Sequence, residues 1–320
     1  MNNHNLNLIM PIYNAENSCE RAINSFIRIQ RLHKDTTLYI VEDGSTDNTL
    51  SKLRKYRNHA QINIITNNTT LGPGLSRMKA LNQVKGGHVG FIDADDYINP
   101  ANYFRAFEDH LSKSCQITTF NALIKSDSKK SYRYDYNRLT ANKSLLKKMC
   151  AKHELDGSVI FSIYSTKFLS ENNVLFGSYF YEDLIFHYKT LLLASNFQIL
   201  DYVCYIKNNT EGSIVNSLST RHLNGIFEFI YLLFNLYNNT LSLQFNGWKE
   251  DLCYGFRHIL ANIAIKLDKV PKNNQILMDL KLAFISEITK ILKYLPLFDG
   301  ARSKKDLFLL NFYENSFLRA

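Results

Sequence analysis

The sequence predicts an α/β fold: a mostly parallel sheet flanked by helices, followed by a C-terminal all-helical domain. Short β-rich runs alternate with helical periods through the first hundred residues, the pattern of parallel strands joined by helical crossovers. Most of these strands end in carboxylate- or Tyr/Asn-bearing turns, and from about residue 219 apolar residues recur at helical spacing.

Leu6 to Met10 reads as a buried strand, and after the Pro11-Ile-Tyr-Asn14 turn Cys19, Ala22, Ile23, Phe26 and Ile27 recur as one helix face. Leu38 to Val41 is a second strand, ended by Glu42-Asp-Gly-Ser-Thr-Asp47, whose Ser45 or Asp47 can cap a helix carrying Leu50 and Leu53. Ile62 to Ile65 is a third strand. Gly72-Pro-Gly74 opens a helix through Leu75, Met78, Leu81 and Val84, Gly86-Gly87 closes it, and Val89 to Ile92 is a fourth strand. In parallel sheets ligands sit beyond the carboxyl ends of strands, so Tyr13-Asn14, Glu42-Asp43 and Asp93 to Asp96 are expected to face one crevice. The tail reads as helices over 226–237, 249–266, 275–293 and 304–312, which divides the chain into domains of residues 1–218 and 219–320.

Composition narrows the class of function. The 320 residues are 45% hydrophobic and 21% charged with 13 Gly and 5 Pro, an ordinary globular balance that excludes disordered and fibrous chains. Five cysteines without a Cys-x-x-Cys pair give neither a disulfide framework nor a thiolate zinc site, which fits a reducing cytoplasm. The amino terminus lacks the pattern of a signal peptide, and the longest apolar run, Ile226 to Tyr237, is broken by Glu228 and Asn235 and is too short to span a bilayer. A net charge of +9 favours an anionic partner, and +7 of it falls between Lys125 and Lys152. Tyr132, Tyr134 and Tyr136 interleave that cluster, which suits a carbohydrate or lipid-phosphate surface as well as a solvated helix face. No nucleic-acid-binding motif accompanies it.

Asp93-Ala94-Asp95 directly follows an apolar strand as a D-x-D motif, and Asp96 adds a third carboxylate. Hard oxygen donors on a strand-end turn suit Mn2+ or Mg2+ bridging protein and diphosphate; as a plain loop they would only cap the following helix.

Ile9-Met-Pro-Ile-Tyr-Asn14, Val41-Glu-Asp-Gly-Ser-Thr-Asp-Asn-Thr49, Gly72 to Arg77 with Gly87-His-Val-Gly-Phe-Ile-Asp-Ala-Asp-Asp96, and Tyr181-Glu-Asp-Leu-Ile-Phe186 together resemble the ordered motifs of family 2 inverting glycosyltransferases of GT-A fold. The resemblance covers about residues 5–217. It implies a donor site of Pro11, Tyr13, Glu42, Asp43, Arg77, Asp93, Ala94 and Asp95, with Tyr13 stacking on uracil and Asp43 accepting the uracil N3 hydrogen. Asp95 corresponds to the direct metal ligand and Asp93 to the aspartate near ribose or sugar. The family's usual Arg-Asn-x-Gly reads Arg77-Met-Lys-Ala80 here, so a surface-helix role for Arg77 stands beside the donor role.

Glu182-Asp183 begins a helical period in the place of the family's Glu-Asp pair, which implies Asp183 as catalytic base and Glu182 as its acceptor-side neighbour. An acidic pair at a helix start also complements the helix dipole. His187, one turn on, is either a diphosphate or metal contact or a packed structural histidine. Lys207, Ser213 and Arg221 flank a segment resembling the one that closes over the diphosphate; the alternative is a solvated loop.

These readings converge on a cytoplasmic, metal-dependent inverting transferase moving a sugar from a UDP-sugar to a glycan or lipid-linked acceptor in bacterial surface polysaccharide synthesis. Peripheral contact with an anionic membrane through the basic cluster is expected, with Phe227, Phe229, Ile230, Leu233 and Phe234 either adding an apolar face or lying in a buried interdomain or homo-oligomer helix. Two alternatives remain at this level: a sugar-phosphate nucleotidyltransferase, which lacks its early Gly-rich phosphate loop here, and a catalytically silent glycan-binding scaffold, against which the intact carboxylates argue.

Overall fold

The computed structural model describes residues 4–126, 131–133, 150, 152, 157–178, 180–209, 219–241, 248–269 and 275–317. The chain divides into two compact units, one of Met1–Asn142, Gly157–Ser178 and Glu182–Ser213, the other of Lys143–Asp156, Tyr179–Tyr181 and Ile214–Ala320.

The first unit is built on a sheet of nine described strands: β1 (Leu6–Ile12), β2 (Thr36–Glu42), β3 (Ile62–Thr66), β4 (His88–Phe91), β5 (Tyr97–Ile98), β6 (Ile117–Ser126), β7 (Ser131–Arg133), β8 (Ser162–Ser165) and β9 (Phe197–Asn209). Their order is β3-β2-β1-β4-β8-β6-β9-β5, with β7 pairing β6. The expected parallel block β3-β2-β1-β4 is present. The central strand β1 is almost continuously buried, as a strand covered on both faces requires, whereas the edge strand β3 buries only Ile62. Beyond β4 the sheet turns mixed, because β8 runs antiparallel between β4 and β6 while β6 and β9 are parallel.

The connecting helices are α1 (Cys19–Leu32), α2 (Thr49–Leu53), α3 (Pro73–Leu81), α4 (Pro100–Ser112), α5 (Thr166–Glu171) and α6 (Glu182–Leu193). α1 buries Cys19, Ala22, Ile23, Ser25, Phe26 and Ile29; of the face read from sequence, Ile27 is only half-buried and Ile29 takes its place. α3 starts on Gly72, whose φ of 93° is open chiefly to glycine, with Pro73 at the first helical position. Asn99 caps α4 by accepting the Asn102 N–H at 3.3 Å, again with proline in first position.

The second unit contains α7 (Thr220–Leu236), α8 (Trp248–Asp268), α9 (Gln275–Leu292) and α10 (Lys304–Phe317), joined after α7 by a short π-helical turn, Tyr237–Leu241. The apolar stripe of α7 is interior: Phe227, Phe229, Ile230 and Leu233 are each at most 4% exposed, and the Phe227 ring packs 6.0 Å from Phe284 of α9. Phe234, the fifth residue of the expected stripe, is half-buried, and its ring lies 6.1 Å from that of Trp248. Most of the Lys125 to Lys152 cluster lies outside the described residues; Lys152 itself sits 3.5 Å from Asp251. Among the described residues no helix is long and apolar enough to cross a membrane.

Candidate active site

The parallel register places Ile12 opposite Glu42, and the Asp43 N–H donates to the Ile12 carbonyl at 2.8 Å, so the turns after β1 and β2 emerge side by side. Pro11 is still within β1, opposite Val41, and Tyr13 beyond it is 50% exposed. The next residue, Asn14 at φ 48°, ties this turn to the one after β2: its N–H donates to Ser45 Oγ at 3.0 Å and its Oδ1 accepts the Thr46 N–H at 2.8 Å. Glu42 is buried and accepts the Ser45 N–H at 2.6 Å.

Asp43 is also buried, and it organises the turn after β3. Its Oδ1 accepts from Asn67 Nδ2 (2.7 Å) and the Leu71 N–H (2.9 Å), and its Oδ2 from the Gly72 N–H (2.8 Å). These contacts use three of the about four acceptor positions a carboxylate offers. Asn67 was not singled out from the sequence. The available signal was its place in the polar run Thr66-Asn-Asn-Thr-Thr70 that ends the third strand.

The D-x-D turn leaves β4 and is clamped by β9. The Asp93 N–H donates to the Tyr205 hydroxyl at 3.0 Å, that hydroxyl donates to Asp96 at 3.0 Å, and Asp96 accepts the Asn208 N–H at 2.7 Å. Asn208 Nδ2 also donates to the Asp95 carbonyl at 2.8 Å. Burial, reinforced by the charges of Asp93 and Asp95, pushes the Asp96 carboxyl up to about 8. Asp96 therefore serves as an internal tie of the loop. Ala94 and Asp95 are half-buried, and the Asp93 side chain keeps 31% exposure.

Arg77 joins this turn to the Glu-Asp pair. It is 5% exposed, donating Nη2 to Asp93 Oδ1 and Nη1 to Glu182 Oε1, each at 2.8 Å. Burial works against its charge, but Asp93, Glu182 and Asp183 more than offset this and raise its pKa. The sequence alternative of a solvated helix residue is thereby replaced: α3 points this side chain inward, between carboxylates.

Glu182 and Asp183 begin α6, entered through Tyr181 at φ 66°, a strained conformation for an aromatic residue. Burial and the neighbouring Asp183 push Glu182 up to about 7, with Arg77 opposing. Burial also raises Asp183, opposed by Arg77 and reinforced by Asp93. Glu182 is spoken for by Arg77, whereas Asp183 accepts its own helix's Leu184 N–H at 2.8 Å. Lys207 is half-buried on β9, and its charge favours the ionised forms of Asp96 and Asp183.

His187 is 1% exposed with Nδ1 2.8 Å from the Tyr164 hydroxyl, in the aromatic interior around Phe91 and Phe186. Arg221 belongs to the second unit, its guanidinium 5.0 Å from the centre of the Phe180 ring. Ser213 lies outside the described residues.

The cluster thus combines buried and half-buried carboxylates, a buried arginine and a nearby lysine. Among the described residues no three acid, histidine or cysteine side chains form a metal site by themselves. Mg2+-type ions commonly take one or two protein carboxylates and complete their shell on phosphate oxygens, and the partly exposed pair Asp93 and Asp95 fits that donor set.

The fold has counterparts among known proteins. The sequence profile described as glycosyl transferase family 2 matches residues 7–172. Poly(ribitol-phosphate) β-N-acetylglucosaminyltransferase TarS of Staphylococcus aureus is 28% identical over 222 residues, covering 66% of this chain and 36% of that protein. A poly(ribitol-phosphate) β-glucosyltransferase of Bacillus spizizenii is 24% identical over 238 residues, covering 70% of this chain and 36% of the relative. The chain therefore spans about a third of the length of these relatives. The crystal structure of S. aureus TarS 1–349 in complex with UDP-GlcNAc superimposes with a TM-score of 0.69 at 22% identity, covering 98% of this chain and 92% of that one.

Proposed function

The chain belongs to glycosyl transferase family 2 and has the GT-A fold, and on that premise we propose that it is a metal-dependent inverting glycosyltransferase using a UDP-sugar. The acceptor is a hydroxyl of a glycan or lipid-linked chain in bacterial surface polysaccharide synthesis. The observation that carries this reading is the Arg77 fork, which ties the D-x-D turn to the Glu-Asp pair and sets Asp183 beside the donor-side carboxylates.

In this reading Tyr13 stacks on the base, and the remaining acceptor position of Asp43 takes the imide N–H of uracil. Asp95 and Asp93 are the residues that would hold Mn2+ or Mg2+, which supplies positive charge beside the diphosphate when bound. Asp183 takes the proton from the acceptor hydroxyl as its oxygen forms a bond to C1; the bond from C1 to the diphosphate oxygen breaks and UDP leaves with that electron pair. Because attack and departure occur on opposite faces, one base suffices and the anomeric configuration inverts. Lys207 adds a cation near the leaving group. A base held above the ordinary aspartate range is a better proton acceptor when ionised.

The reading includes operation in the cytoplasm, with the Lys125 to Lys152 cluster making peripheral contact with anionic lipid and the helical domain 219–320 serving acceptor or homo-oligomer contacts. Release of UDP from UDP-glucose, UDP-galactose and their N-acetyl forms, measured with Mn2+, Mg2+ and chelator, tests it. Metal-stimulated release from at least one donor is expected. Absence of release from all four, with no thermal stabilisation by UDP, overturns it.

A further inference from the structure

A cleft of about 550 Å³ lies on the first unit behind the D-x-D turn, lined by Arg21, Asn24 and Arg28 of α1 with Tyr97, Asn99 and Ile206 among the residues opposite. None of the proposed catalytic or donor residues lines it. Arg21, Asn24 and Arg28 are exposed at positions i, i+3 and i+7, which puts them on one helix stripe. Arg28 makes no ion pair among the described residues, and no carboxylate lines the cleft. Arg21 and Lys125 flank the Tyr97 ring at 5.1 and 5.3 Å, and Lys125 also donates to the Tyr97 hydroxyl at 2.6 Å, so a third cation stands at the rim. The floor is apolar, from Ile98, Pro100 and Ile206.

We propose that this cleft is a binding site for a chain of phosphodiester-linked polyols, holding the acceptor polymer outside the catalytic crevice. The charge arrangement favours a chain over a compact anion: Arg21 and Arg28 are separated by about 10 Å along the helix, so positive charge is strung along a line, matching phosphates repeated at intervals. Polyol carbons suit the apolar floor. A nucleic acid offers the same phosphates but needs open rings on which bases stack, and the one aromatic ring lining the cleft is already flanked by two cations. The site adjoins the reaction machinery, since Arg21 Nη2 donates to the carbonyl of Asp95. A polymer gripped here is thereby delivered to the side of the D-x-D turn.

The proposal rests on the transferase reading for its purpose, and the test separates the two. Binding of a synthetic glycerol-phosphate oligomer to the full chain is measured by calorimetry beside inorganic phosphate and oligouridylate, for wild type, Arg28→Lys, Arg28→Glu and Asn24→Asp, with UDP affinity and UDP-sugar hydrolysis on the same preparations. The oligomer is expected to bind in a salt-sensitive way, to lose at least about tenfold in affinity with Arg28→Glu, and to be weakened by Asn24→Asp. Arg28→Lys should retain most of the affinity, and UDP affinity should not move. Wild-type oligomer affinity in both acidic variants, equal competition by free phosphate at matched phosphate concentration, or equal binding of oligouridylate each overturns the site. Lost hydrolysis with retained, Arg28-dependent oligomer binding overturns only the transferase reading.

Discussion

One guanidinium, that of Arg77, lies 2.8 Å from Asp93 and 2.8 Å from Glu182, linking the turn after β4 to the start of α6 across 105 positions of sequence on one side and 16 on the other. Both partners are partly or wholly withdrawn from water, with side-chain exposures of 31% and 6%. Removing the cation leaves Glu182 buried beside Asp183 and Asp93 without the guanidinium that offsets their repulsion. Arg77→Ala should therefore destabilise by about 3 kcal/mol, in the range for breaking a buried pair, as read from urea denaturation. Arg77→Lys keeps the charge but not the fork, so it should fold better than Arg77→Ala while turnover still drops. Wild-type stability in Arg77→Ala would show the fork to be incidental.

Asp183 is assigned the proton, so Asp183→Asn should lower kcat by about 10²–10⁴ and leave UDP affinity nearly unchanged. Burial holds this carboxyl above its ordinary value. Since only the ionised form accepts a proton, activity should rise with pH through a midpoint above the usual aspartate range. A pH–rate profile checks the sign, and loss of UDP binding without loss of kcat would move Asp183 to the donor site.

Asp95 is the half-exposed member of the D-x-D turn assigned to the metal. Asp95→Ala should abolish transfer and remove the Mn2+ dependence of UDP binding, measured by titration with and without chelator. Wild-type turnover in this variant is the result that would remove the metal from the reading.

Gly74, in the first turn of α3, shows how tightly the cluster is packed. A Cβ there would stand 2.5 Å from Glu182 Cγ and 2.5 Å from the Gly177 carbonyl oxygen. The side chain can turn aside but the backbone carbonyl cannot. Gly74→Ala should thus push α3 away from Glu182 and weaken the Arg77 contact, lowering turnover by about tenfold or more in a residue that touches no substrate. Unchanged kcat would show that the helix shifts without cost to the site.

His110 gives the fold a pH signature away from the site. It is fully buried between Thr118 (2.7 Å) and His88 (2.8 Å), and burial, aided by His88, lowers its pKa to about 3. The unfolded chain takes up a proton near pH 6.5 and the folded chain does not, so stability is full above that value and falls as pH drops from 6.5 toward 3. The loss between pH 6.5 and 5 should be about 2 kcal/mol from this group. Urea midpoints of wild type and His110→Gln across that range test it: the variant, whatever its absolute stability, should lose this component of the slope.

Local sequence determined a great deal of this protein. The four apolar runs that became β1 to β4, the punctuation at Gly72-Pro73 and Asn99-Pro100, and the tail helices follow from periodicity and capping, which act over a few residues. Once parallel strands are given, chain geometry alone brings Tyr13, Asp43 and the D-x-D turn to one edge. Tertiary structure decided the partners of each charge. Whether Arg77 points to solvent or between Asp93 and Glu182, whether His187 faces the crevice or Tyr164, and that Tyr205 and Asn208 clamp Asp96 are contacts spanning 16 to 112 positions. No period of 2 or 3.6 residues encodes them, because a side chain's cost of burial, and so its charge and role, is set by whichever distant segment the sheet order brings against it.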